Sequence, residues 1–140
     1  MQIPEGFAPI EHSAAFGKLT GPFYEKPEGA GGFVRALRVA EKLTNSFDIV
    51  HGGMMMTFAD IVLARACREA ASAPVVTLRM VTNFVAPARL GDWLEGRAKV
   101  TRATRSLVYV TGRLSIGRKT VLTADGVFRI VRRERALPPA

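Results

Sequence analysis

The stretch G-M-M-M-T-F-A-D-I-V-L-A-R-A-C-R-E-A-A, residues 53–71, contains no proline and no internal glycine and is dominated by alanine, leucine and methionine. These residues lose little side-chain freedom in a helix, so a helix over Gly53 to Ala71 is predicted. Its first turns are apolar nearly all round. Met54, Met55, Met56, Phe58, Ala59, Ile61, Val62, Leu63, Ala64, Ala66 and Cys67 are broken only by Thr57, Asp60 and Arg65. A helix apolar on most sides is buried on most sides.

Downstream, three β-rich segments lie at about 74–86, 92–102 and 106–131, with Gly117-Arg118 dividing the last. Ala103-Thr104-Arg105 and Gly117-Arg118 are the natural reversals. Leu122, Ala124, Phe128 and Ile130 alternate with Thr123, Asp125 and Arg129, the pattern of a half-buried antiparallel strand. Upstream, the PEGAGG cluster at 27–32 is a turn, and segments 19–25 and 33–40 flank it as a hairpin. Residues 41–51 show neither period and read as a loop; Ile10 to Phe16 reads as a short helix. One helix buried by one antiparallel sheet of five or six strands is the economical arrangement, an α+β fold. At 140 residues the chain suits a single domain, with its core at about 10–131 and a basic tail at 132–140.

Composition narrows the function. No stretch approaches the roughly 18 apolar residues of a membrane span, and the start, MQIPEGFAPIEH, lacks the pattern of a signal peptide, so a cytoplasmic location without membrane association is expected. Cys67 is the single cysteine, which excludes an internal disulfide. With only His12 and His51 beside it, the chain cannot supply a closed zinc site, and no metal is expected. The net charge of +8 is uneven. Residues 1–96 carry 9 Lys/Arg against 10 Asp/Glu, and residues 97–140 carry 11 against 2. A polyanionic partner, such as a nucleotide-bearing cofactor, fits this asymmetry, and so does a solvated sheet face. Nucleic acid is not the expected partner, because Tyr109 and Phe128 are the only aromatic residues after position 96 and base stacking would lack platforms.

His51-Gly52-Gly53 stands immediately before the helix, where the first N–H groups lack intrahelical acceptors and receive negative oxygens. Glycine leaves the backbone open to a ligand, so Gly53 N–H is a candidate oxyanion donor. Asp60 lies two turns inside the helix, with Met56, Thr57, Leu63 and Ala64 at i±3 and i±4, so no local cation neutralises it. Burying such a carboxylate costs several kcal/mol without a remote partner. It is either one half of a salt bridge to another strand or a base or nucleophile tuned by its surroundings. The methionine run is adaptable packing or a ligand wall, and Cys67 reads as core filler.

Residues 45–60, N-S-F-D-I-V-H-G-G-M-M-M-T-F-A-D, resemble the signature of hotdog-fold thioesterases of the PaaI-like, phenylacetate-pathway group of the 4-hydroxybenzoyl-CoA thioesterase superfamily: Asn, five residues, His-Gly-Gly, six residues, Asp. All five positions match, and weaker similarity extends through F-V-A-P-A-R-L-G-D at 84–92 and A-D-G-V-F-R at 124–129. The resemblance implies a hotdog fold, a long central helix wrapped by the sheet, assembled as a homodimer or homotetramer with sites at the subunit interface. It implies hydrolysis of a small aryl- or medium-chain acyl-CoA to free acid and CoA, with no cofactor beyond the coenzyme A of the substrate. By the same resemblance Gly53 N–H polarises the thioester carbonyl, and Asp60 activates water or attacks directly. Asn45 from the opposite subunit orients water or carbonyl, and His51 shapes the helix entry. Gly52 and Met54 line the substrate, and Thr77 lies near a position where relatives place a hydroxyl. Arg79 is a departure, a charge on a strand that otherwise reads as core. Among the basic residues, Arg102, Arg105, Arg118 and Lys119 lie near strand ends and are candidates to hold the coenzyme phosphates. A non-catalytic acyl-CoA-binding module and a hotdog dehydratase or hydratase are the alternatives. The spacing of Asp60 after His51-Gly52-Gly53 favours the thioesterase.

Overall fold

Helix α2 spans Gly52–Ala71, one residue longer at its start than predicted, and lies across a single antiparallel sheet in the computed structural model, which describes residues 2–11 and 14–132. In chain order the elements are β1 (Ala8–Pro9), α1 (Ala15–Thr20), β2 (Tyr24–Glu28), β3 (Gly32–Arg38), a 3-10 turn (Glu41–Leu43), α2, β4 (Val75–Phe84), β5 (Trp93–Ala103), β6 (Leu107–Ile116) and β7 (Lys119–Ile130). The sheet runs β1-β2-β3-β5-β6-β7-β4. It has seven strands where five or six were expected, the addition being the two-residue β1 on β2. This is the hotdog arrangement, helix inside and sheet around it.

Two glycines explain how the sheet closes on the helix. A Cβ at Gly96 would run into the Val62 side chain, and one at Gly112 would come within 2.7 Å of Leu63 Cδ2. Their absence lets β5 and β6 press against α2. Around that contact Phe58, Leu63, Leu94, Leu114, Leu122 and Phe128 are fully buried, and Phe23 stacks on Phe58 at 5.8 Å between ring centres. Each such aromatic contributes about 3–5 kcal/mol by the cost of its truncation to alanine. The alternation expected for β7 holds, with Leu122, Ala124, Phe128 and Ile130 buried and Asp125 and Arg129 exposed.

Three expectations need correction. The N-terminal helix sits later than Ile10 to Phe16, because Ile10 donates its N–H to Phe23 O beside the β1–β2 pair and is extended. For the same reason the segment 19–25 is not one strand: Leu19 and Thr20 end α1, and β2 begins at Tyr24. Helix α2 is also not buried on most sides within one chain. Met56 is exposed, and Ile61 and Ala64 are only partly covered, because within one chain the sheet does not close over the side of the helix that carries them. His12 and residues 133–140 of the basic tail lie outside the described residues.

Candidate active site

The start of α2 is closed by His51. Its carbonyl accepts from Met54 and Met55 N–H, and its Nδ1 accepts from Gly53 N–H at 2.9 Å. An accepting Nδ1 places the imidazole proton on Nε2. The donor that the sequence assigns to an oxyanion is therefore held by its own neighbour. Gly52 N–H, one residue earlier, has no hydrogen-bond partner among the described residues, and Gly52 opens on a cavity of about 440 Å3. Asn45, Met55, Phe84 and Pro87 also line that cavity.

Asn45 is fixed by its own turn. Its Oδ1 accepts from Phe47 N–H at 2.9 Å, its N–H donates to Ile49 O, and Asp48 adopts a positive φ of 58° to close the loop. With Oδ1 committed as acceptor, the amide nitrogen is the free end of the side chain, able to donate two hydrogen bonds.

Asp60 lies half-buried on the flank of α2 turned toward β4, where Thr77 Oγ1 donates to Asp60 Oδ1 at 2.5 Å. None of the ion pairs among the described residues includes Asp60. The salt-bridge alternative thus has no partner here, and the carboxylate is held by a neutral hydroxyl. A β-bulge between Thr77 and Arg79 makes this possible. Thr77 sits opposite buried Phe128, facing the helix. Past the extra residue, Arg79 sits opposite Val127 and pairs with exposed Asp125 at 3.5 Å on the other face. Without the extra residue, period-two alternation would bring Arg79 onto the face of Thr77, beside Asp60. The charge that looked out of place on a core strand is turned outward.

The remaining candidates divide. Met54 is buried and lines a second depression with Phe16, Leu19 and Thr57, so Met55 rather than Met54 borders the Asn45–Gly52 cavity. Arg118 and Lys119 lie at the β6–β7 turn. Two residues on, Val121 O accepts from Val85 and Ala86 N–H at the rim of that cavity. Arg102 and Arg105 lie at the other end of the sheet, where Ile130 bonds Ser106 O beyond the C-terminus of α2. The four do not form one cluster. Among the described residues, Asn45 lines the Gly52 cavity and Asp60 is not one of its walls. Among the described residues no three His, Cys, Asp or Glu side chains converge as a metal site. Phe84 and Met55 were missed as cavity walls; the only signals were the methionine run and the 84–92 similarity.

Cys67 is buried on the same helix, and burial, followed by the negative charge of Asp60, pushes its thiol up to about 12. That is an inert thiol, as its reading as core filler requires.

The family model of the thioesterase superfamily matches residues 47–122, which takes in His51, Gly52, Gly53, Asp60 and Thr77. A Pseudomonas aeruginosa protein that carries an esterase name, PA0474, is 36% identical over 93% of this chain and 98% of its own. Human acyl-coenzyme A thioesterase 13 is 26% identical over 79% of this chain and 80% of its own. Among solved structures, the E. coli PaaI protein from the phenylacetic acid degradation operon superposes with a TM-score of 0.77 at 22% identity, covering 86% of each chain.

Proposed function

The chain belongs to the thioesterase superfamily and is a thioester hydrolase, and from that premise we propose that it is of the PaaI type and hydrolyses a small aryl- or medium-chain acyl-CoA with Asp60 as the base. The observation that carries the assignment is the unpaired Asp60 carboxylate. It is oriented by Thr77 at 2.5 Å, on the helix whose N-terminal turn offers backbone donors. Thr77 occupies Oδ1 and leaves Oδ2 for a water. Asp60 takes a proton from that water, the oxygen attacks the thioester carbonyl carbon, and the carbonyl oxygen becomes negative. Gly52 N–H, which lines one cavity with Asn45 and so comes from the subunit that supplies Asn45, receives it, joined by Gly53 N–H once His51 turns away; such donors act on the charge that develops during the reaction. The C–S bond then breaks, and the leaving thiolate of coenzyme A takes up the proton that Asp60 removed from the water, which restores the carboxylate. The reaction consumes only water, so it requires no cofactor.

Support for a dimeric site comes from β4. It is the outermost strand, paired on one side only, and exposes Leu78 (57%), Val81 (39%), Phe84 (55%) and the adjoining Val85 (58%). A ten-residue edge strand with exposed apolar side chains is a template for another strand. The smallest closed solution is a two-fold pair, β4 on its symmetry mate, and a tetramer would be built from two such pairs. That pairing covers the uncovered flank of α2 and brings a partner loop carrying Asn45 toward Asp60. Arg118 and Lys119 would hold coenzyme phosphates at the mouth of the Gly52 cavity. Among the described residues no helix is long and apolar enough to cross a membrane. A cytoplasmic location accompanies the substrate, which is too polar to cross a bilayer unaided.

A panel of aryl- and alkyl-CoA thioesters, followed with a thiol-detecting reagent, tests the proposal. Release of free thiol by the wild type and loss of release in a folded Asp60→Asn variant is the expected result. Wild-type protein that releases thiol from none of them overturns it.

A further inference from the structure

On the flank of α2 away from Asp60, a second cavity of about 230 Å3 opens between the C-terminal half of the helix and strands β3 and β5. Its walls are small and apolar, with Val62, Ala66, Ala98 and Val100 among them, and two guanidinium groups, Arg35 and Arg65, stand in it. At 3.6 residues per turn, the stripe through Val62, Arg65, Ala66 and Glu69 lies roughly 150° round the helix from Asp60. The two sites are therefore separated by the body of α2. Strands β6 and β7 lie between β5 and the free edge β4, so pairing of that edge leaves the cavity open.

Arg35 is the decisive residue. Its side chain is only 8% exposed. Nε donates to Glu25 Oε2 at 2.7 Å and Nη1 to Ile61 O at 3.2 Å, while Nη2 has no partner among the described residues. Arg65 donates from Nε to the same Glu25 oxygen and from Nη1 to Glu69, lies under the ring of Phe33 at 3.7 Å, and also leaves Nη2 unbonded. Arg68 adds a third positive charge to the field at Arg35. The two guanidinium groups of the cavity share Glu25, and Glu69 is the second carboxylate, while Arg68, exposed and outside the lining, adds positive charge nearby. Glu69 is exposed and joined to Arg65 only as an i,i+4 surface pair, a partner that an incoming anion displaces cheaply. Burial, the largest influence, pulls the Arg35 guanidinium below the ordinary arginine value despite Glu25, so the cation is incompletely compensated.

We propose that this cavity is a binding site, separate from the catalytic one, for a small monocarboxylate with a compact apolar tail. The carboxylate takes the unbonded Nη2 groups of Arg35 and Arg65, which present planar N–H donors suited to it. The tail lies against Val62, Ala66 and Val100. The volume is below the roughly 300–1,000 Å3 of pockets for drug-sized ligands, which limits the tail to a single ring or a short chain. The free acid released by thioester hydrolysis belongs to this class, and that link alone rests on the proposed function.

The test uses benzoate and hexanoate as probes, with benzamide and hexanamide as neutral isosteres, titrated into the full-length protein by calorimetry and by backbone amide NMR without any thioester present. Expected are saturable binding of the acids, amides at least about tenfold weaker as befits loss of one charge-assisted hydrogen bond, and shifts centred on Gly31–Phe33 and Val62–Ala70. Ala66→Leu fills the cavity while keeping both arginines. It should abolish binding and leave kcat and KM unchanged, and Arg65→Gln should weaken binding at least about tenfold. A folded Asp60→Asn variant should bind the acids as the wild type does, so inactivity of the protein toward thioesters leaves this result readable. Absence of saturable binding, equal binding of the amides, or binding that survives Ala66→Leu and is competed by coenzyme A would overturn the proposal; the last result would place the acid in the catalytic cavity.

Discussion

Thr77 Oγ1 donates to Asp60 Oδ1 at 2.5 Å across the gap between β4 and α2, and among the described residues no cation shares the carboxylate. Asp60→Asn keeps an oxygen able to accept from Thr77 and breaks no ion pair. It should therefore melt within about 1 kcal/mol of the wild type, as changes outside buried networks do. As the base, its loss should lower kcat by at least roughly a hundredfold. Thermal unfolding and hydrolysis on one preparation check both halves; near-normal turnover in the folded variant would remove Asp60 from the chemistry.

Thr77 orients the carboxylate rather than touching the thioester, so its variants should separate by hydroxyl and not by size. Thr77→Ser retains the donor and should keep most of kcat. Thr77→Val, nearly the same shape, should lower kcat with KM little changed, because the carboxylate loses the hydroxyl that orients it. Equal kcat in the two variants would leave Thr77 a structural residue.

The helix and the later hairpins were legible because local chemistry decides them. Residues 53–71 lack helix breakers, and the turns at Ala103-Thr104-Arg105 and Gly117-Arg118 fall between alternating strands. Asn45, His51 and Asp60 were singled out through the resemblance of residues 45–60 to a family signature, and Asp60 also as a carboxylate with no local cation. The bulge at Thr77/Arg79 was not, since one extra residue exchanges the two faces of a strand and leaves no compositional trace. The capture of Gly53 N–H by His51 was likewise hidden, histidine being an uncommon cap. Ile10 and β1 escaped because their pairing with the Phe23–Tyr24 region is set by tertiary contact, not by any local period.

The division of the basic residues between two ends of the sheet gives an asymmetric expectation. Reversing Arg118 and Lys119 together, at the end near the Gly52 cavity, should raise KM for acyl-CoA with kcat nearly unchanged, the mark of lost uniform binding. Reversing Arg102 and Arg105 should change KM less. Steady-state kinetics at two salt concentrations check this, because the contribution of phosphate contacts shrinks as salt rises.

Cys67 should stay silent to a thiol reagent at pH 8 in the folded protein and react once in denaturant. Its folded value of about 12 lies above the roughly 8.5 of a free thiol. Between those values the unfolded state has lost the proton that the folded state keeps, so the thiol's contribution to stability is complete below about pH 8.5 and is lost as pH rises toward 12. The stability difference between wild type and Cys67→Ala should accordingly shift against the wild type from pH 8 to pH 11. A constant difference would mean that the thiol ionises freely in the fold.

The edge of β4 carries the last expectation. Among the described residues Asp60 is not a wall of the cavity that Asn45 lines, and Leu78, Val81 and Phe84 lie exposed on the edge strand β4. If β4 pairs with its symmetry mate, Val81→Asp places two like charges in the seam, where opposed carboxylates repel. The chain should then sediment as a folded monomer and lose hydrolysis, although Asp60, Thr77 and Gly52 are untouched. The complementary measurement uses two inactive proteins, Asp60→Asn and Asn45→Ala. Mixed and allowed to exchange subunits, they should recover activity, because a mixed dimer contains one site with both native residues, and a statistical mixture makes half of the dimers mixed, giving about a quarter of the wild-type sites. No recovery despite demonstrated exchange would place both residues in the site of a single chain, and an active Val81→Asp monomer would show that the edge is not where the site is completed.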